Sequence, residues 1–324
     1  MMSGETTVYT VLEVLIAIIC CLGNAPVIWA VWSSCALREP TFCFMLSLAV
    51  ADFLVGFVAV PFAVLVDGQV STSFNVCLII SCVVIMLTMA SVLSLLAIAV
   101  DRYLRVVIPL RYRKTVTERR SWLVVGSCWF FAFLLSSPPI LGWNRQEGSP
   151  SRNSSINCRF IAVIPGSYMV YFNFFLCTLT PLLVMTVLYF YIFCKIKSNL
   201  HGKVRCGSAS HIYYQKERNL AQSLVLVLLL FAIGWLPLHL MNCVAYFGNA
   251  SVLPRMGFHV GILLSHSNSA VNPIVYAFKI PKIQEAFLRI WKSFFVCRDY
   301  SQTSQSNPTT EDNTGSQPNI VINK

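Results

Sequence analysis

Residues 76–108 read VCLIISCVVIMLTMASVLSLLAIAVDRYLRVVI. The run carries no charge until Asp101-Arg102-Tyr103, and Arg105, Arg111, Arg113 and Lys114 follow closely. A helix rises ~1.5 Å per residue, so about 20 apolar residues cross a bilayer core. This run crosses with turns to spare. Lysine and arginine gather on the cytoplasmic side of membrane helices. The Arg102 end is therefore expected inside, and Cys77, at the other end, outside.

Six further apolar runs surround it, at 8–32, 41–66, 121–142, 167–194, 220–247 and 257–280. The 324 residues are 56% hydrophobic and 11% charged, with a mean hydropathy of +0.67. A soluble domain of this size does not cover so much apolar surface. The reading is an all-α membrane protein, a seven-transmembrane helix bundle. Seven is odd, so the termini lie on opposite sides. Of the 24 lysines and arginines, 20 fall in segments 33–40, 102–120, 195–218 and 279–324. That bias sets the amino terminus outside and the carboxyl terminus inside, in a multi-pass protein of the plasma membrane. The first run lacks a basic leader and is too long for a cleavable signal. The net charge of +11 is a topology signal, since no aromatics interleave the basic residues as in a nucleic-acid groove; no nucleic-acid partner is expected.

The chain divides into a short outer segment (1–7), the seven-span domain (8–280), residues 281–297 and a tail (298–324). In the third segment Ile283, Phe287, Ile290, Trp291 and Phe294 alternate with basic residues, the pattern of a short amphipathic eighth helix on the inner leaflet of the lipid bilayer. The tail is rich in Ser, Thr, Asn and Gln and is expected to be disordered. Of 13 cysteines, most fall within spans or on the reducing side, where a disulfide is not expected. Cys77 and Cys158 are the two well placed outside and are expected to form one disulfide. Cys297 is a palmitoylation candidate, with an unmodified thiol as the alternative. Asn153 heads a glycosylation sequon in a long polar loop, a better candidate than Asn249.

Polar groups inside a membrane are expensive and default to function. Here they recur in order: Gly23-Asn24, Leu48-Ala49-Val50-Ala51-Asp52, Asp101-Arg102-Tyr103, Trp235-Leu236-Pro237 and Asn272-Pro273-Ile274-Val275-Tyr276. The set resembles the rhodopsin-like G-protein-coupled receptors. Leu95 to Val106, Tyr168-Met169-Val170-Tyr171-Phe172, Trp235 to His239 with Asn242-Cys243, and Ser265-His266-Ser267-Asn268-Ser269 resemble the adenosine receptors in particular. The chemistry of the spans points the same way. Val84 and Ile85 stand where an amine receptor places a carboxylate, no span interior carries a lysine for retinal, and the outer halves offer no cluster of cations for phosphates. What remains suits a neutral, flat, hydrogen-bonding ligand, and adenosine is one.

The resemblance implies a ligand set. Asn242, His239 and Trp235 share one helix face, and the Asn242 amide matches the donor and acceptor of an adenine edge; alone it reads equally as interhelical glue. Phe160, beside Cys158, would stack on the purine. Thr88, Ser265 and His266 resemble the ribose positions, with Glu13 fixing the His266 tautomer; a Thr88 hydroxyl bonded back to its own helix is the plainer reading. Ile85, Leu238, Met169 and Ile262 would supply apolar walls, or simply pack. Asp52, Ser91, Asn268 and Asn272 resemble a sodium site, against a protonated, water-bridged aspartate. Asp101, Arg102, Tyr103 and Glu217 resemble the inner lock, with Phe231, Trp235 and Tyr276 relaying its opening.

Arg159 and Ile161 flank Phe160 where several family members carry acidic or amide residues, Met89 follows Thr88 in place of a polar residue, and Pro26 interrupts the first span. The short inner loop and tail resemble the subtypes that inhibit adenylyl cyclase, types one and three. The implied partners are adenosine, a heterotrimeric G protein of the inhibitory class, and arrestin and receptor kinases on the tail. Stimulatory coupling, or another neutral ligand such as an adenine derivative, is the alternative. A transporter would show inverted repeats or broken helices, and an enzyme a nucleophile with its base; neither pattern is visible. No cofactor is implied.

Overall fold

The computed structural model describes residues 4–33, 40–145, 155–202, 208–248, 254–279, 284, 285 and 288. It divides into two units, Met1–Phe287 and Leu288–Lys324; of the second only Leu288 is described. Residues 284, 285 and 288 are helical; the rest of the expected eighth helix, the tail, Cys297 and Asn153 lie outside the described residues.

Among the described residues the first unit holds seven long helices: α1 Gly4–Ser33, α2 Pro40–Leu65, α3 Phe74–Val107, α4 Glu118–Ser136, α5 from Tyr168 to Gly202, α6 Ser208–Phe247 and α7 Arg255–Lys279. Five of them (α1, α2, α3, α5 and Leu224–Phe247 of α6) are long and apolar enough by themselves to cross a membrane. The other two are more polar: α4 opens on Glu118-Arg119-Arg120, and α7 carries His259, His266, Asn268 and Asn272. Helices α1, α2, α3, α5, α6 and α7 pack in a closed ring, and α4 lies against α2 and α3. Of the five apolar spans α3 is the most buried, so its side chains form much of the core.

Local chemistry sets the ends. The Ser73 hydroxyl accepts from the Val76 N–H to start α3, and Thr117 does the same for Arg120 in α4, with Glu118 favourable in its first turn. The apolar run 121–142 outlasts its helix, which stops at Ser136. Pro138 and Pro139 offer no N–H and exclude the helical conformation before them. Two spans are not regular throughout. Val55–Ala59 in α2 and Tyr168–Leu179 in α5 are π-helical, each just before a proline (Pro61, Pro181) whose ring the wider turn accommodates. By contrast α1 continues through Pro26. Gly56 explains how α2 reaches α1: a Cβ there would lie 2.6 Å from the Cys20 Cβ, a contact for which only glycine leaves room.

An element absent from the all-α reading caps one end. Strand β1 (Asp67–Ser73) pairs antiparallel with β2 (Ser155–Arg159), and Cys77 is bonded to Cys158 beside them. The disulfide fastens the loop between α4 and α5 to the start of α3.

Candidate functional site

At mid-span the bundle buries a carboxylate. Asp52 is 0% exposed and accepts hydrogen bonds from Ser91 (3.0 Å), Ser269 (2.9 Å) and the Asn272 amide (2.7 Å). A buried carboxyl group needs hydrogen-bond partners, and here they come from α3 and α7. Asn268 makes no hydrogen bond to Asp52; its Oδ1 is buried without a partner, as is that of Asn24. Asn24 instead donates to the carbonyls of Cys20 (2.9 Å) and Ser269 (3.1 Å), tying α1 to α7.

Nearer the disulfide end, α1 and α7 are joined again. The Glu13 carboxylate, fully buried, sits 2.8 and 3.1 Å from His266 Nδ1. A carboxylate accepts, so Nδ1 is the donor in that contact, and Nε2 is the nitrogen left for whatever approaches. Beside it Ser265 donates to the Ile262 carbonyl (2.7 Å), and Thr88 on α3 donates to Val84 (2.9 Å). Both hydroxyls thus bond back to their own helix, and each keeps lone pairs free to accept.

Aromatic rings descend along α6. Phe174 of α5 stacks on His239 (centroids 4.8 Å apart), His239 lies over Trp235 (5.7 Å), and Trp235 over Phe231 (6.3 Å). His239 is 1% exposed, yet neither ring nitrogen has a hydrogen-bond partner. A buried imidazole in that state is costly, and a ligand group alongside would relieve it. Asn242 lies one turn further toward the disulfide end and is half-buried, as are Leu238, Met169, Ile262 and Phe160, while Ile85 is buried. Met169 receives the Asn173 amide on its sulfur at 3.8 Å. Phe160 opens a single helical turn, Phe160–Val163, and its N–H donates to the Val66 carbonyl at 3.1 Å, so the turn between α2 and β1 as well as the disulfide holds it.

At the opposite end Asp101 and Arg102 are both buried and paired. Asp101 accepts from Thr41 (2.7 Å) and Tyr112 (2.7 Å), and Arg102 also bonds Thr41. Burial, and then the neighbouring Asp101 carboxylate, push the Tyr112 phenol well above its ordinary range, so it remains a donor at any physiological pH. Tyr103 packs on Tyr191 of α5. The side chains of Glu217 and Tyr276 lie outside the described set.

Sequence reasoning missed Ser269, Phe174, Thr41 and Tyr112. Ser269 was within reach: it precedes Asn272 by three residues and so shares its helix face. Thr41 and Tyr112 lie far from Asp101 along the chain, and only the packing of α2 and the short helix Pro109–Thr115 brings them in.

Residues 23–276 match the model of the 7 transmembrane receptor (rhodopsin family). The chain is 43% identical to a protein named adenosine receptor A3 from Ovis aries, over 95% of its own length and 96% of the relative's. It is 43% identical to the protein of that name from Bos taurus (91% and 93%) and 42% identical to that from Canis lupus familiaris (92% and 95%). With six helices in a closed ring around a buried aspartate, a seventh packed against them and an Asp-Arg pair at one end, this chain belongs to the rhodopsin family of seven-transmembrane receptors and, within it, to the adenosine receptors.

Proposed function

We propose that the chain is a plasma-membrane receptor for adenosine that signals through inhibitory G proteins to lower adenylyl cyclase activity. The observation that carries this is the likeness to proteins named adenosine receptor A3 over nearly the whole chain. The side chains support it, because the groups left to meet a ligand are a neutral amide, imidazoles and hydroxyls. The disulfide end faces outward, following the distribution of basic residues.

In this reading Asn242 donates to and accepts from the adenine edge, and Phe160 stacks on its face. His239 gives its unpartnered nitrogens a polar neighbour. Glu13 holds the proton of His266 on Nδ1, so Nε2 accepts from a ribose hydroxyl, while Thr88 and Ser265 accept from others. Ligand pressure on Trp235 passes to Phe231, and the inner end opens as Arg102 leaves Asp101 and Thr41. Asp52 with Ser91, Asn268 and Asn272 supplies oxygens that suit a hard cation such as sodium, and the partnerless Oδ1 of Asn268 leaves lone pairs for it; such an ion would hold the resting arrangement. The inner end receives the G protein, and arrestin and receptor kinases act on the tail, anchored by Cys297 in the inner leaflet. Asn153 carries a glycan.

Adenosine added to cells expressing the chain should lower stimulated cyclic AMP. A rise in cyclic AMP would mean stimulatory coupling, and no change with the protein at the surface would refute the signalling assignment.

A further inference from the structure

The Glu13–His266 pair has a counterpart nearer the disulfide end. His259 of α7 is buried and lies flat on Tyr9 of α1, with centroids 4.3 Å apart and planes 17° off parallel. Its Nδ1 is 3.3 Å from Glu5, and its Nε2 is 3.7 Å from Asp67 Oδ1 on β1. Neither nitrogen makes a hydrogen bond in this arrangement. Arg255, on the same helix, pairs with the other Asp67 oxygen at 3.2 Å.

Two carboxylates on opposite nitrogens of one ring pose a definite chemical problem. Neutral imidazole has one N–H and one lone pair, so one carboxylate always faces the lone pair. The imidazolium has two N–H groups and serves both. Glu5, Tyr9 and Glu13 stand at i, i+4 and i+8 on α1, and His259, Ile262 and His266 at i, i+3 and i+7 on α7, so each set lies along one helix face. The two packed helices therefore form a ladder, with His259 on Glu5 and Tyr9 as one rung and His266 on Glu13 as the next.

We propose that His259 is a positioning residue for His266. A proton taken from solvent lets its ring donate to Glu5 and Asp67 together, clamping α7 to α1 and β1 and holding the His266–Glu13 pair in register for ribose. The proposal rests on the ribose reading above. Glu5 and Tyr9 from α1, Asp67 from β1 and Arg255 from α7 are the titratable or charged groups facing the ring. Arg255 engages Asp67 Oδ2 and leaves Oδ1 to His259, so it does not compete for the contact.

The test is radioligand binding on membranes between about pH 5.5 and 8, the interval in which histidine exchanges its proton. A ribose-bearing agonist should bind ~3–10-fold more tightly at the acid end, less than the full worth of a charge-assisted hydrogen bond because the clamp acts on the ligand only through His266, while a ribose-free antagonist stays flat. His259→Phe keeps the ring on Tyr9 and should flatten the agonist profile, with affinity at pH 8 within about twofold of the unaltered protein. If that variant does not reach the surface, Glu5→Gln, at a half-exposed position, should lessen the slope. A flat profile in the unaltered protein, a full slope in either variant, or equal slopes for both ligands would overturn the proposal. The ribose reading is judged separately by His266→Ala at pH 8, where equal losses for both ligands would refute that reading.

Discussion

On the proposed assignment, removing either member of the Glu13–His266 pair should separate ribose recognition from adenine recognition. The pair is buried at both ends, with the carboxylate 2.8 and 3.1 Å from the ring nitrogen. A hydrogen bond to a charged group contributes about 1.5–3 kcal/mol. At ~1.4 kcal/mol per factor of ten, Glu13→Ala should weaken a ribose-bearing agonist roughly 10–100-fold. His266→Ala should cost a similar factor, since it deletes the ligand contact itself. On the proposed assignment Glu13 acts through His266, so the double variant should cost about as much as the worse single change rather than the product of the two. Glu13→Gln, which keeps an acceptor for the Nδ1 proton, should fall between the parent and the truncation. A xanthine-like antagonist without ribose should lose no more than about threefold in any variant. The assay is saturation and competition binding on membranes matched for surface expression. Additive losses, equal for agonist and antagonist, would refute the reasoning and leave the pair as an interhelical contact only.

Asn242→Ala should weaken agonist and antagonist alike by roughly 10–100-fold, the loss of ~1–3 kcal/mol from a buried amide pairing; unchanged Kd values would assign the amide to packing. Cys77→Ala or Cys158→Ala should abolish binding or surface delivery, because the loop bearing Phe160 loses its covalent anchor, and normal binding would contradict that dependence. Tyr112→Phe removes one of the donors to Asp101, worth about 1 kcal/mol, and should raise basal signalling about fivefold in a nucleotide-exchange assay; basal activity at the parent level would remove Tyr112 from the lock. Asp52→Asn should abolish any effect of sodium on agonist affinity, read as Kd with and without added sodium chloride.

The bundle was legible because a bilayer imposes so strong a rule on sequence. Runs such as 76–108 must be helical to satisfy their own backbone, and the basic residues mark which ends share a side. Boundaries were less legible where proline acts at a distance: the stop at Ser136 and the π-turns before Pro61 and Pro181 are backbone responses that apolar content does not report. The β1–β2 pair was hard to see since DGQVSTS carries a single apolar residue and SINCR, though Ile156 and Cys158 alternate with polar residues, is only five residues long; the disulfide brings them side by side. At the site, groups tied by helical spacing, such as His239 beneath Asn242, could be placed from the chain alone. Contacts between distant segments that the family resemblance did not supply could not: Thr41 and Tyr112 on Asp101, or Phe174 on His239, depend on how helices pack. Thr88 and Ser265 show the limit from the other side, as residues assigned to ligand that here bond to their own helices while retaining lone pairs.

Competition by adenosine against a radiolabelled antagonist, on membranes from cells expressing the chain, tests the central claim most directly. The account predicts complete displacement, with inosine, which lacks the adenine amine that Asn242 accepts, weaker by at least about tenfold. Failure of adenosine to displace at any concentration, with the protein at the surface and the antagonist bound, would contradict it.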